Sequence, residues 1–264
     1  KQKTVGLCKG KKCLAPKPCP QLQVDHSEYL EILRRLRKLP KVKRVFIRSG
    51  IRFDYLIQDK DQEFFQELVR HHVSGQLKVA PEHCSAAVLD AMGKTHIEAY
   101  LRFARRFYGI TKEAGKEQYL VPYLMSSHPG STLKDAVELA LFLKREKIRP
   151  EQVQDFYPTP GTISTCMFYT GLDPYTMKEV YVAKTEKEKA MQRALLQYFN
   201  PKNQGLVIEA LKKAGRLDLI GTSPGCLVRP DPKTAAALRN KKPAIKKHTV
   251  KKGKGSYPKG KKRV

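Results

Sequence analysis

Three cysteines near the start of the chain could hold a metal ion or an iron–sulphur cluster. Cys8, Cys13 and Cys19 follow the spacing C-x4-C-x5-C in a stretch rich in lysine and proline, and His26 lies seven residues further on. Zinc ions and iron–sulphur clusters bind thiolates, and neighbouring lysines favour the ionised thiol. The spacing matches neither the CxxC pairs of zinc ribbons nor a common ferredoxin pattern. We predict an auxiliary zinc or cluster site whose fourth ligand is His26 or an upstream residue; three incidental thiols are the alternative.

Glu82 and His83 stand side by side directly after a short apolar run, in LKVAPEHCS. A carboxylate at the end of a strand can accept hydrogen bonds from an amine or from hydroxyl groups of a ligand, and a histidine can donate or relay a proton. The pair is therefore a candidate binding site. The alternative is a pair that only caps the helix that follows.

Two loops with a Pro-Gly turn, SSHPGST and FYPTPGT, each follow another apolar run. Gly130 and Gly161 allow the backbone to approach a ligand closely or to adopt a positive φ. A helix that begins near Ser131 would favour an anionic group at its N-terminus. Each loop alone also fits an ordinary turn between a strand and a helix.

Short apolar runs that alternate with amphipathic helices must position these loops. The four runs begin at Val45, Leu77, Tyr119 and Val153. This order indicates βαβ units with a parallel sheet, and right-handed crossovers bring the ends of all its strands to one edge, where ligands bind in α/β proteins. Helices are predicted at about 27–38, 61–73, 85–92 and 97–114. A further helix is predicted to follow the loop SSHPGST and to end near residue 147, and two more are predicted at 186–199 and 204–214.

The fold class predicted from this pattern is α/β: the later strands of a partial (β/α) barrel, a small helical appendix and a disordered basic tail. We expect a Cys-rich segment at 1–26, the barrel at 27–180, the helical extension at 181–235 and the tail at 236–264. Capping boxes are predicted at Thr95 with Glu98 and at Thr185 with Glu188. Four strands do not close a barrel and the first residue is not Met, so we expect upstream strands to belong to the same protein.

Charge is concentrated at the C-terminal end. Residues 241–264 hold eleven Lys and Arg and no acid, within a chain whose net charge is +27. Such a segment attracts RNA or another polyanion, or it only solubilises the chain. No secretory signal and no apolar run of membrane-spanning length occurs, so the cytoplasm is the expected compartment. Walker, GxGxxG and HExxH motifs are absent, which argues against phosphoryl transfer, dinucleotide binding and zincin chemistry.

Several long strings resemble the YgiQ-type radical SAM family between about Cys8 and Pro230. They are SGIRFD, LKVAPEH with VLDAMGK, AGKEQYLVPYLMSSHPGST, VQDFYPTPGTIST with MFYTG, and LIG…CLV, with a weaker echo in KPAIKKHT. A looser resemblance links the same loops to the methylthiotransferase branch of radical SAM enzymes. The resemblance implies the later part of a partial (β/α)6 barrel.

The resemblance also implies an enzyme in which a [4Fe–4S] cluster on a CxxxCxxC loop passes an electron to S-adenosylmethionine and generates a 5′-deoxyadenosyl radical. Carried over by position, the residues that contact S-adenosylmethionine are Ser49, Glu82, His128 and Gly130. Further candidates at the same edge of the sheet, for contacts to the substrate, are Arg52, His83 and Thr159.

The chain departs from the family because CxxxCxxC occurs nowhere in its 264 residues. We therefore expect a fragment that is inactive alone and acts with a missing N-terminal half on an unidentified substrate. The alternative is a nucleic-acid-binding module that uses the lysine-rich tail.

Overall fold

Helices and short parallel strands alternate along the first two-thirds of the chain in the computed structural model, which describes Cys8 and residues 12–240. The strands are β1 (Gln76–Glu82), β2 (Tyr119–Ser126) and β3 (Gln154–Asp155). They form one parallel sheet in the order β1-β2-β3. The predicted α/β class with a parallel sheet is therefore confirmed.

The helices of the first part of the chain precede β1 or connect the parallel strands, as a βαβ order requires. They are α1 (Ser27–Lys38), α2 (Phe53–Leu56), α3 (Glu63–Glu67) with the π-helical turn Leu68–His72, α4 (Ala86–Met92), α5 (Ile97–Glu113) and α6 (Leu133–Arg145). After β3 come α7 (Ile163–Thr170), α8 (Glu186–Leu196), the 3-10 turn Pro201–Asn203, α9 (Gln204–Lys213) and the 3-10 turn Leu217–Leu219.

Apolar faces of these helices cover the sheet and form the core. Aromatic rings supply much of it: Phe65 and Phe103 stack at 5.1 Å between ring centroids, and Phe107 packs beside Phe103. Leu77 of β1 and Leu143 of α6 are completely buried in the same cluster. The core is the ordinary consequence of apolar stripes on helices facing an apolar sheet.

The first predicted strand, at Val45–Ile47, does not form. The segment lies beside the sheet, where Ile47 N–H donates to His72 O (2.9 Å) and Ile51 N–H donates to Lys78 O (3.2 Å). These are isolated bonds rather than a ladder, so the described sheet has three strands instead of four. A strand needs a continuous row of paired backbone groups, and the apolar run alone does not secure one.

One of the two predicted capping boxes is present. Thr185 accepts a hydrogen bond from Glu188 N–H, and Glu188 returns one to the backbone of Thr185. The box predicted at Thr95 and Glu98 is wrong, because α5 begins one residue later with His96 at the cap and no side-chain hydrogen bond there. Thr95 is buried instead. Gly115 ends this helix as predicted, with φ +61°.

The chain divides into two compact units, residues 1–229 and 230–264. The second unit contains α10 (Pro232–Asn240), where Asp231 accepts a hydrogen bond from Thr234 N–H at 2.7 Å. Residues 236–240, placed in the tail from the sequence, are helical here. The lysine-rich residues 241–264 lie outside the described residues.

No helix within the described part of the chain combines the length and apolar character that crossing a membrane requires.

Candidate functional site

The ends of β1 and β2 carry an unusual backbone at neighbouring positions. Glu82 (φ +66°) ends β1, and Ser127 (φ +61°) follows β2 directly. A left-handed conformation costs a residue with a β-carbon about 1–2 kcal/mol. Such strain persists only where the surrounding structure enforces it, and it is concentrated at binding and catalytic sites. We call this edge, from Glu82 to Ser85 and from Ser127 to Thr132, the rim.

Glu82 is a partly exposed charged group at the end of β1. Its carboxylate accepts a hydrogen bond from Lys94 Nζ at 2.8 Å, and the side chain keeps 17% of its surface exposed. Lys94 also donates to Ala80 O at 3.2 Å. The ion pair therefore orients the carboxylate of Glu82 while leaving it open to a ligand.

His83 is buried beneath Glu82 and supports the next helix. Its Nδ1 accepts a hydrogen bond from Ser85 N–H at 3.0 Å. Burial lowers the pKa of His83 to about 4, an effect that nearby Asp135 opposes and nearby His128 reinforces. The ring is therefore neutral at pH 7. This contact is close to the capping role that was the alternative interpretation of the pair.

His128 is buried in the loop after β2, with 3% of its surface exposed. Its Nδ1–H donates to Pro129 O and its Nε2 accepts from the Ser164 hydroxyl, both at 2.7 Å. Burial lowers the pKa of His128 to about 4, an effect that the hydrogen bond to Pro129 opposes and the positive charge of Lys94 reinforces. Both ring nitrogens are thus occupied by the protein itself.

The backbone at position 130 requires a glycine. Its φ is +91°, and a β-carbon there would lie 3.3 Å from Ala91 Cβ. Its N–H donates to Tyr181 O at 2.7 Å. The glycine therefore brings the rim loop against α4 and against the segment before α8.

Four residues that sequence reasoning missed hold the rim together. Gln192 of α8, 1% exposed, accepts from Ser127 N–H and from the Ser131 hydroxyl at 3.1 Å each, and donates to Ser131 O at 2.8 Å. Asp135 accepts from the Ser85 hydroxyl at 2.7 Å and forms a capping box with Thr132. The other two are Lys94 and Ser164. Gln192 and Ser164 act across 65 and 36 residues, so local pattern could not reveal them, whereas the capping box of Thr132 and Asp135 is a local signal that the sequence analysis did not use.

One polar atom of the rim has no partner in the described structure. The Ser127 hydroxyl is buried and makes no hydrogen bond. Buried hydroxyls are nearly always paired, so an orphaned one needs an explanation such as a ligand or a bound water.

The remaining predicted rim residues lie apart from this network. Ser49 is exposed, and its neighbour Ile51 bonds to Lys78 in the middle of β1. Arg52 forms a bidentate pair with Asp54 at 2.8 and 2.7 Å. Thr159 is exposed, and its carbonyl accepts from the hydroxyl groups at the start of α7. No described contact joins these three to Glu82 or His128.

Two of the three candidate cysteines are joined through their backbones. Cys19 N–H donates to Cys13 O at 2.8 Å, while Cys8 and Cys19 are exposed. Lys12 reaches Gly93, where a β-carbon would collide with its ammonium group. Across the described residues, no three His, Cys, Asp or Glu side chains are grouped so that they could hold a metal ion.

Comparison with known proteins gives relatives over most of this chain. It is similar to UPF0313 proteins. A UPF0313 protein of Clostridium perfringens (strain 13 / Type A) is 62% identical over 229 residues, covering 87% of this chain and 35% of the relative. A UPF0313 protein of Clostridium botulinum (strain 657 / Type Ba4) is 59% identical over 227 residues, covering 86% and 36%. The chain thus spans about a third of the length of these relatives.

A family model described as a domain of unknown function (DUF3362) matches residues 151–263. The UPF0313 names of the relatives agree with the predicted resemblance to the YgiQ-type family. Neither description names an activity. The matched region begins just before β3, so it includes Ser164 and Gln192, the two residues that hold the rim loop from outside.

Proposed function

We propose that this chain is a later part of a radical SAM enzyme and that its rim contributes to the S-adenosylmethionine site. The observation that carries the proposal is the meeting of Glu82, the strained Ser127 and the His128–Gly130 loop at adjacent ends of parallel strands. Ligands of α/β proteins bind at this edge. The sequence resemblance implies contacts to S-adenosylmethionine at Ser49, Glu82, His128 and Gly130, of which the last three lie at this edge.

The rim suits the polar groups of such a ligand. The Glu82 carboxylate accepts hydrogen bonds from ribose hydroxyls or an ammonium group, and the orphaned Ser127 hydroxyl offers a buried partner. His83 and His128 are neutral and hydrogen-bonded to the protein, so they shape the loops and do not carry protons to a ligand. In this proposal, His128 is a positioning residue rather than a ligand contact.

The residues present do not fit the radical cluster. No CxxxCxxC loop occurs in the 264 residues, and no suitable group of ligands lies among the described ones. When bound to a reduced [4Fe–4S] cluster, S-adenosylmethionine supplies the radical chemistry that the resemblance implies. We assign no step of that chemistry to this chain, and the proposed activity belongs to the longer protein.

Ligand binding tests the role of the rim directly. Saturation-transfer NMR with millimolar S-adenosylmethionine should detect binding to this chain, and Glu82→Gln should weaken it because a neutral amide accepts hydrogen bonds less strongly than a carboxylate. Glu98→Gln is the control, since Glu98 lies in the first turn of α5 and outside the rim. Equal binding by the two variants would contradict the assignment of Glu82.

Activity is tested on a protein of the relatives' full length. The C. perfringens relative, reconstituted anaerobically with iron and sulphide and reduced with dithionite, should show cluster absorbance and release 5′-deoxyadenosine from S-adenosylmethionine. Absence of both would refute the radical SAM assignment. The present chain, treated in the same way, should release none.

A further inference from the structure

A second concave surface lies at the other end of the same strands. It is a groove of about 530 Å³. Gly75 and Gln118, which line it, directly precede β1 and β2. Parallel strands begin at one edge of a sheet and end at the other, so this groove lies opposite the rim. An inference about it does not rest on the proposed function.

The groove is strongly cationic. Its basic lining residues are Arg37, Lys43, Arg44, Arg70, His71 and Lys116, against one carboxylate, Glu117. Arg37 is paired with Glu67 at 3.0 Å, and Lys116 donates to Arg70 O. Within the described residues, Lys43, Arg44 and Arg70 make no ion pair. Three positive charges thus remain for an anionic ligand.

The pKa of His71 reflects both its burial and the positive charge of the groove. Its pKa is lowered, first by burial and then by the positive charge of Arg37, while Glu67 opposes the shift. Lys116 acts in the same direction as Arg37. An anion bound in the groove would therefore raise the pKa of His71.

The floor of the groove is held by buried hydrogen bonds. The Gln118 amide donates to Val69 O and Val73 O at 3.0 Å each and is itself buried. Val45, another lining residue, accepts a hydrogen bond at its carbonyl from His72 Nδ1–H at 2.8 Å. The bond from His72 ties the cationic segment at 43–46 to the π-helical turn, and the bonds of Gln118 tie that turn to the start of β2, so the groove exists before any ligand binds.

An exposed aromatic ring stands among the cations. Phe46 keeps 42% of its surface exposed and follows Lys43 and Arg44 in the lining. Grooves that bind single-stranded nucleic acid combine positive charge along the phosphates with aromatic rings on which bases stack. A groove for an acidic peptide needs the charge but not the exposed ring.

We propose that this groove binds single-stranded nucleic acid, with phosphates on Lys43, Arg44 and Arg70 and a base against Phe46. The affinity arises from charge and stacking, so we expect it to depend little on the base sequence and strongly on the salt concentration.

The charge component is tested with the full chain and a fluorescein-labelled oligouridylate of about twelve nucleotides. Fluorescence anisotropy gives the dependence of log K on log salt, whose slope is about −0.7 for each phosphate neutralised on a single strand. Combining Lys43→Ala, Arg44→Ala and Arg70→Ala should make the slope shallower by about 2. The control combines Lys60→Ala, Lys184→Ala and Lys202→Ala, exposed lysines outside the groove, and should change the slope less.

The stacking component separates this groove from the lysine-rich tail, which remains in every sample. Phe46→Ala should weaken binding at least about fivefold, while Phe46→Tyr should retain it. Because Phe46 is partly exposed, circular dichroism should show that both variants are folded. The matched oligothymidylate shows whether RNA or DNA is preferred, and either preference supports the groove.

Two results would overturn the proposal. The groove triple variant and the control triple variant could bind with the same slope, which would place the nucleic acid on another surface such as the tail. Alternatively, poly-L-glutamate could displace the labelled oligonucleotide as well as an unlabelled oligonucleotide of equal charge does, and Phe46→Ala could leave the affinity unchanged. Together these two results would show that the groove is a general anion site.

Discussion

Replacing Gln192 by leucine should destabilise the chain strongly, because this side chain satisfies the buried backbone of the rim loop. Its amide accepts from Ser127 N–H at 3.1 Å and donates to Ser131 O at 2.8 Å, and the residue is almost fully buried. Leucine has a similar size but can make neither bond. A buried polar group left unpaired costs about 1–3 kcal/mol. Leaving these two backbone groups unpaired should therefore lower the free energy of unfolding by about 4 kcal/mol.

A second glutamine just past the same helix provides the control. Gln197 donates to Glu151 O at 2.8 Å and more weakly to Pro150 O at 3.3 Å, in a partly exposed position. Water can replace these bonds, so Gln197→Leu should change the free energy of unfolding by less than about 1 kcal/mol. Urea unfolding followed by circular dichroism measures both variants.

Hydrogen exchange locates the effect. In Gln192→Leu, the Ser127 N–H should exchange much faster than in the wild type, while amides within β1 should change less. A stability loss below about 1 kcal/mol, or an unchanged Ser127 N–H, would refute the view that Gln192 holds the rim.

Two further predictions concern pH and backbone strain at the rim. Burial lowers the pKa of His83 and His128 to about 4, from 6.5. These rings stay neutral in the folded chain but accept protons when it unfolds, so the unfolding free energy should fall as the pH drops from 6.5 towards 4, and His128→Gln should make that fall shallower. Gly130→Ala should destabilise more than Gly215→Ala, since both have positive φ but only the first brings a β-carbon within 3.3 Å of another. If Gly130→Ala and Gly215→Ala lowered the unfolding temperature equally, the close contact at Gly130 would be contradicted.

Helix positions were largely predictable because they depend on local signals. The apolar stripe of 27–38 predicts α1 with the bounds that the structure has, and the capping box at Thr185 and Glu188 marks the start of α8. The strand predicted at 45–47 fails for the opposite reason. An apolar run shows a tendency, whereas a strand also needs a partner edge, which lies elsewhere in the chain.

The candidate site was only half visible in the sequence. Glu82, His83, His128 and Gly130 lie at or just after strand ends whose place at one edge follows from parallel βαβ order. The groups that orient them are far away in sequence: Gln192 is 65 residues from Ser127. Side chains that meet only after folding leave no period or spacing to recognise.

The region matched by the domain of unknown function supplies two of these distant groups to the loop after β2. Ser127 adopts a costly left-handed backbone whose N–H is held by Gln192, and His128 is held by Ser164. Both supporting side chains come from residues 151–263. Strain at a loop is retained only while its surroundings enforce it. The helices after β3 therefore act as the support that fixes the backbone of the rim, and a chain cut before β3 should keep the rim residues but lose their geometry.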